Sequence, residues 1–268
     1  MKKFKISQIQ FQAKATPVEN AELLVKLFKQ SQRYKPNLIC TPECSNIITH
    51  DKKHLFKFAT YQNNCPIIKE ARIFAKNNKV NINIGSLLLK VKGNKKLANR
   101  SILINKEGKI QAIYNKIHLF DVNITARETH RESHSFIKGD KVVMQKVDGI
   151  NIGFTICYDL RFPNLYRQLA KKGACIILIP AAFTVPSGKA HWETLIKARA
   201  IENSVFIVAT NMCGTHHTGR KTYGYSILFD PWGRTKNKCS AKPKILNTTI
   251  DLKEISRVRS RLPSIYND

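Results

Sequence analysis

INIGFTICYDLRFPNLYRQLAKKGACIILIP, residues 150–180, decides the fold class. INIGFTIC (150–157) is a strand-length apolar run, Pro163 to Lys172 is helical, and ACIILIP (174–180) is a second apolar strand. Strand, helix and strand in that order form a βαβ unit, which needs a sheet with helices over it. Towards the carboxyl end, the spacing predicts a helix over Trp192 to Asn203, then strands SVFIVATN (204–211) and YGYSILFD (223–230). A turn at Asp230-Pro231-Trp232-Gly233 follows, and KILNTTIDL (244–252) is a last strand before a basic tail.

Towards the amino end the same alternation recurs. FKISQIQFQ (4–12) alternates apolar and polar residues like a half-buried strand. In Asn20 to Tyr34, Ala21, Leu24, Val25 and Phe28 fall at helical i, i+3, i+4, i+7 positions. Pro36 closes that helix and NLIC (37–40) is a short buried strand. Ile67 to Lys76 reads as helix and VNINIGSLLLKV (80–91) as strand, while SILIN and IQAIYN flank Glu107-Gly108 as a hairpin. The expected fold is α/β, with helices outside a mixed sheet or two stacked sheets. No low-complexity linker divides the chain, so residues 1–268 are expected to form a single domain, with about the last ten residues a basic tail.

At 268 residues, 43% hydrophobic and 24% charged, the chain can bury a sizeable core, which excludes general disorder. No apolar run reaches the ~18–20 residues of a membrane span. MKKFKISQIQFQ starts basic but has no apolar stretch behind it, unlike a signal peptide. A cytoplasmic protein with no membrane partner is expected. Lysine and arginine number 46 against 18 acids, a formal charge of +28 that invites a nucleic-acid reading. The lysines are spread along the chain, as in Lys2-Lys3, Lys52-Lys53, Lys95-Lys96 and Lys171-Lys172, and not gathered into an arm or motif. That spread favours a solvated basic surface and no specific nucleic acid. The seven cysteines are odd in number and irregularly spaced, which argues against a disulfide framework. Cys213 with His216 and His217 falls short of a four-ligand metal site, so neither metal nor cofactor is expected.

Three residues stand where α/β proteins place reactive groups, just past strand ends. Glu43 follows NLIC within CTPEC, Lys116 follows IQAIYN, and Cys157 ends INIGFTIC ahead of YDLRFP. Singly, each has a plain reading as a solvated turn acid, one lysine among many, and a small core thiol. Together, a carboxylate base, an ammonium for the oxyanion and a thiol nucleophile suffice for acyl transfer.

The strings CTPEC, YNKIHLFDV, RES, ICYDLRFP, IPAAFTVPSGKAHWETLIKARAIEN and YGYSILFDPWG, in that order from about residue 4 to 262, resemble the nitrilase, or carbon–nitrogen hydrolase, superfamily. The resemblance implies a four-layer αββα sandwich that dimerises through helices. It also implies a catalytic Glu–Lys–Cys triad at Glu43, Lys116 and Cys157, with Glu132 of RES as a second glutamate beside it. HLFDV, CYDLRFP, the AHWE string and CGTHHTGRKTYGYS resemble the Nit amidases most, on the side of the deaminated glutathione amidases. The implied activity is hydrolysis of a small linear amide bearing a carboxylate, such as deaminated glutathione or a similar alpha-keto amide, to acid and ammonia through a Cys157 thioester. Within that scheme the backbone N–H of Tyr158 assists Lys116 at the oxyanion, Arg161 grips the substrate carboxylate, and Phe183 and Ser187 line the pocket. His191 and Trp192 read as pocket wall or interface, and Glu193 and Glu202 as scaffold. The implied partners are the amide, water and a second copy of the chain. An omega-amidase or N-carbamoyl amidase would use the same triad. A nitrile-cleaving enzyme, an acyltransferase and a basic nucleic-acid-binding protein on this fold are further alternatives. Two departures stand out: Ile137-Lys138-Gly139-Asp140 replaces the usual Pro-Gly, and Tyr225 replaces a commoner histidine.

Overall fold

The computed structural model describes residues 3–125 and 128–267. Two sheets face each other. In the first, the strands run in the order Lys244–Asp251, Lys3–Gln10, Leu38–Cys40, Asn81–Lys90, Leu97–Ile104 and Ile110–Asn115, with short strands Thr60–Tyr61 and Phe136–Ile137 attached off this path. In the second the order is Met144–Val147, Ile150–Phe154, Ile176–Ala181, Phe206–Asn211, Ile227–Phe229 and Thr235–Lys238. Lys3–Gln10, Leu38–Cys40 and Asn81–Lys90 are parallel, and so are Ile150–Phe154, Ile176–Ala181 and Phe206–Asn211. Each half of the chain therefore winds a parallel βαβαβ core and edges it with antiparallel strands.

Strand alternation sorts the side chains between the layers. Along Lys3–Gln10, Phe4 and Ile6 join the core cluster that contains the second sheet, and Gln8 Nε2 crosses to donate to the Ala209 carbonyl at 2.8 Å. Ile9 belongs to the other cluster, with Leu24 and Phe28 of helix α1 (Pro17–Gln32) and Ala71, Phe74 and Ala75 of α3 (Pro66–Asn78). The helix α2 (Lys52–Phe58) starts on Asp51, whose side chain accepts from the backbone N–H groups of Lys53 and His54. Leu165, Tyr166 and Leu169 of α4 (Pro163–Lys171), and Trp192, Ile196 and Ala200 of α5 (Val185–Asn203), pack on the second sheet. The layering is helix, sheet, sheet, helix. Among the described residues no helix is long and apolar enough to cross a membrane.

Four local features differ from the sequence expectations. The strand expected over 150–157 stops at Phe154, because Thr155 turns its hydroxyl to the Leu178 carbonyl at 2.8 Å and Cys157 starts a 3-10 turn (Cys157–Arg161). The helix expected from Trp192 begins at Val185. Pro186 sits in the first turn, where its missing N–H costs nothing, and Gly188 lies against the Tyr223 ring. Two hairpins, Asp121–Thr125 with Glu128–Arg131 and Cys213–Thr215 with Lys221–Tyr223, are too short and polar to announce themselves. The basic stretch after the last strand holds a helix that the sequence reading does not name: α6 (Lys253–Arg261) buries Ile255 and Val258, and Ile265 enters the core beyond it.

Candidate active site

The loop after Leu38–Cys40 carries Glu43 over the carboxyl ends of the parallel strands. It lies so close to Asn81–Lys90 that a Cβ on Gly85 would fall 1.9 Å from the Thr41 carbonyl oxygen and 2.5 Å from Pro180 Cβ. Only glycine lets the first sheet, this loop and the second sheet converge there. Lys116 follows Ile110–Asn115, with its backbone held on both sides: its N–H donates to Asn99 at 2.9 Å, and its carbonyl accepts from Gly139 at 2.8 Å. A Cβ on Gly139 would meet the Asn115 carbonyl oxygen at 2.2 Å. The unusual Ile137–Asp140 stretch therefore still supplies the glycine that seats Lys116.

Cys157 adopts φ of +47°, the left-handed region that a side chain disfavours. Asp159 sustains this turn. Fully buried, it accepts from the Ile156 N–H at 2.8 Å and the Tyr114 hydroxyl at 2.6 Å, and from the His118 N–H and Nδ1 at 3.0 and 2.7 Å. One carboxylate thus locks the cysteine turn to the strand and loop that flank Lys116.

The side chains meet in the wall of a cavity of about 230 Å³. Lys116 Nζ lies 2.9 Å from Glu43 Oε1 and 2.9 Å from Glu132 Oε2. Asn99 Nδ2 bridges the same two carboxylates at 2.9 and 3.2 Å, and the Ala182 N–H donates to Glu43 Oε2 at 3.0 Å. Glu132 is fixed in turn by the Phe120 N–H at 2.6 Å. The Cys157 thiol faces Glu43 and the Ala182 backbone in the same wall.

Burial opposes the charge on Glu43, but Lys116 and hydrogen bonds from Cys157, Lys116 and Asn99 outweigh it and hold the carboxyl below the usual range. Burial likewise opposes the Lys116 charge, and Glu132, Glu43 and Cys157 together hold that ammonium well above its ordinary range. Burial and the Glu43 charge push the Cys157 thiol well up, only partly offset by Lys116. The resting site holds a carboxylate, an ammonium, a second carboxylate and a thiol. It can pass one proton from sulfur to Glu43 without changing its total charge.

Tyr158, next in chain, lines the cavity, with its ring edge-on to Phe120 at 5.0 Å and to Phe162 at 5.4 Å. Arg161 also lines it. Its guanidinium lies 5.9 Å from both the Tyr158 and Phe183 ring centroids and 3.2 Å from His191 Nδ1. Phe183 and Ser187 belong to the wall, the Ser187 hydroxyl 2.9 Å from that of Thr184. Trp192 packs behind Phe183 at 4.7 Å and donates to the Tyr225 carbonyl, while Tyr225 stacks on Tyr223 and is not part of the wall. Glu193 pairs with Lys238 and Glu202 with Arg199, both away from the cavity. His216 turns its Nε2 to the Thr222 hydroxyl at 2.8 Å. Sequence reasoning passed over Asn99, Asp159, Ala182 and Arg220. Asp159 carried a signal as the acid inside the CYD string, and Ala182 and Arg220 lay within IPAAFTVPSG and CGTHHTGRKTYGYS without being singled out.

Comparison with known proteins agrees with this geometry. The carbon-nitrogen hydrolase family profile matches residues 5–260. A deaminated glutathione amidase of Dictyostelium discoideum is 34% identical over 260 residues, covering 93% of this chain and 88% of its own. One from Synechocystis is 32% identical over 270 residues, covering 100% and 98%. The crystal structure of Caenorhabditis elegans NitFhit superposes with a TM-score of 0.93 at 29% identity over 99% of this chain, which spans 65% of that longer one. The chain belongs to the carbon-nitrogen hydrolase family and is an amidase.

Proposed function

We propose that Glu43, Lys116 and Cys157 hydrolyse a small linear amide bearing a carboxylate by way of a thioester. The observation that carries this reading is the Glu43–Lys116–Glu132 chain beside the Cys157 thiol in one buried wall. Glu43 takes the thiol proton as sulfur attacks the amide carbonyl carbon. The oxyanion forms against the Lys116 ammonium and the Tyr158 backbone N–H. As the C–N bond breaks, Glu43 returns its proton to the departing nitrogen, leaving an acyl group on Cys157. Water then attacks the thioester while Glu43 takes its proton, and the acid and free thiol are regenerated. Glu132 touches Lys116 and Asn99 and orients both, so it is a positioning residue. Arg161 supplies a charged fork for the substrate carboxylate, between the Tyr158 and Phe183 rings that narrow the pocket.

The relatives named deaminated glutathione amidase point to that substrate or a similar alpha-keto amide. Both amides of a deaminated glutathione are secondary, so the leaving group there is an amine. Ammonia leaves only from primary amides such as alpha-keto-glutaramate. The test is to supply deaminated glutathione, alpha-keto-glutaramate and an N-carbamoyl amino acid, following free amine and ammonia beside a Cys157→Ala control. Release from the first, lost in the control, is the expected result. Preference for either other substrate reassigns the branch, and release that survives in Cys157→Ala contradicts the triad.

We also propose a homodimer with α5 at the shared face. Ile201 of that helix is 44% exposed and lies against the turn bearing Trp232, itself 42% exposed. Sedimentation of the wild type and of Ile201→Glu tests it, the variant being expected to run as a monomer.

A further inference from the structure

Beyond Glu43, Lys116 and Cys157 the cavity adjoins a second chamber of about 260 Å³, and His50, His130, Thr184 and Arg220 line both. Arg220 sits where the hairpin turn meets the strand Lys221–Tyr223. The hairpin is fastened to the site: the Tyr223 N–H donates to the Phe183 carbonyl at 2.9 Å, Thr222 pairs with Thr184, and the Arg220 carbonyl accepts from His216 at 2.8 Å.

Its guanidinium, by contrast, has no hydrogen-bond or ion-pair acceptor among the described residues, and its Nε is buried without one. A buried donor left unpaired is costly, so such a group is expected to meet an acceptor when the site is filled. Among the described residues no acid of the cavity wall is available to it. Glu43 and Glu132 are held by Lys116, and Asp51 caps α2. Arg131, also in the wall, is committed to the Val122 and His130 carbonyls and the Asn123 amide oxygen. Among the described residues, Arg161 and Arg220 are therefore the guanidiniums of the cavity wall with no carboxylate, carbonyl or amide oxygen on them.

Their positions divide the substrate. Arg161 shares the 3-10 turn of Cys157, so it stays beside the half that remains bonded to sulfur. Arg220 reaches the outer chamber, which Cys157 does not line, so a substrate spanning both chambers brings its far half to Arg220. We propose that Arg220 determines specificity by gripping a carboxylate on the leaving-amine half of the substrate. This rests on the amidase reading above and adds a specificity-determining residue to that site.

The test compares N-glutarylglycine, which carries both carboxylates, with N-methylglutaramic acid, which lacks the one on the amine side. Wild type is expected to favour the first by about 10- to 100-fold in kcat/KM, as a fork on a carboxylate would give. In Arg220→Gln that ratio collapses towards one, chiefly through KM, and Arg220→Lys recovers part of it because the charge remains and the fork does not. Calorimetric binding of N-glutarylglycine to Cys157→Ala, with and without Arg220→Gln, reads the same contact without turnover and is expected to weaken at least tenfold. A preference ratio or an affinity unmoved by Arg220→Gln overturns the proposal. Wild type that hydrolyses neither compound, while binding still depends on Arg220, overturns the hydrolysis proposed above for such carboxylate-bearing amides and leaves the Arg220 contact with a carboxylate standing.

Discussion

The Asp159 carboxylate accepts the Tyr114 hydroxyl at 2.6 Å, joining the turn that presents Cys157 to the strand that leads into Lys116. Nucleophile and ammonium come from opposite sheets, and this buried contact fixes one against the other. Asp159→Asn replaces an oxygen that accepts two donors with an amide that clashes with one of them. Loss of about 1–3 kcal/mol of stability is expected from the broken charged hydrogen bonds. A fall in kcat of at least about tenfold, with a smaller change in KM, is expected because the attack geometry loosens. Urea unfolding and steady-state kinetics check both. Normal kcat in a destabilised variant would show that Asp159 only holds the fold.

Lys116 is the cation between two buried carboxylates. Lys116→Met leaves Glu43 and Glu132 facing each other without compensation, which costs about 3–5 kcal/mol for a broken buried pair. Loss of an oxyanion donor should lower kcat by about 10²–10³-fold. The double variant Lys116→Met with Glu132→Gln removes one charge, so it should regain much of the stability while staying inactive. Denaturation of the three proteins, with activity, separates the two roles.

Acid and alkaline limits follow from the direction of each shift. Glu43 is depressed below its unfolded value, so its stabilisation is complete above the ordinary glutamate pKa of about 4.3 and is lost as pH falls through its folded value. Lys116 is raised, so its contribution is complete below about 10.4 and is lost as pH rises through its higher folded value. Cys157 is raised as well and stays a thiol at neutral pH. Thiolate absorbance near neutrality should match that of Cys157→Ala, and the acid limb of kcat/KM should lie below pH of about 4.3. A thiolate at pH 7 would mean that sulfur is deprotonated before substrate arrives, contrary to a base role for Glu43.

The left-handed backbone at Cys157 is a separate source of strain. Alanine keeps that strain and glycine removes it, so Cys157→Gly should be more stable than Cys157→Ala by about 1 kcal/mol. Paired urea melts of the two inactive variants measure it. Equal stabilities would mean that the turn is not strained.

Gly85 is the point where loop and sheets touch. Gly85→Ala forces the Thr41 carbonyl away and with it the approach of Glu43. Destabilisation of more than about 2 kcal/mol, and loss of turnover beyond what unfolding explains, are expected from this overpacking. Kinetics at a temperature where the variant is folded provide the check.

Periodicity made the layers legible: the alternation in FKISQIQFQ and the apolar runs at 150–157 and 174–180 match strands within a few residues. Glu43, Lys116 and Cys157 were legible because each stands just past a strand, the first and last at the ends of parallel strands and Lys116 after an antiparallel edge strand. Asn99 was hidden inside the strand Leu97–Ile104, where an inward polar residue looks like any other until the facing groups are known. The Ala182 N–H has no side-chain signature at all. The start of α5 was misplaced because Pro186-Ser187-Gly188 reads as a loop, and only packing against Tyr223 makes glycine welcome in that first turn. Arg220 escaped notice among the many basic residues, since what marks it out is the acceptor it lacks.

The most direct measurement is rapid acid quench of the enzyme during turnover of N-glutarylglycine, followed by mass analysis of its peptides. The account predicts a glutaryl group on the peptide containing Cys157, bound as a thioester that hydroxylamine removes. Glu43→Gln should form it far more slowly. Steady turnover with that peptide never acylated, or with the acyl group on another residue, would contradict the nucleophilic role assigned to Cys157.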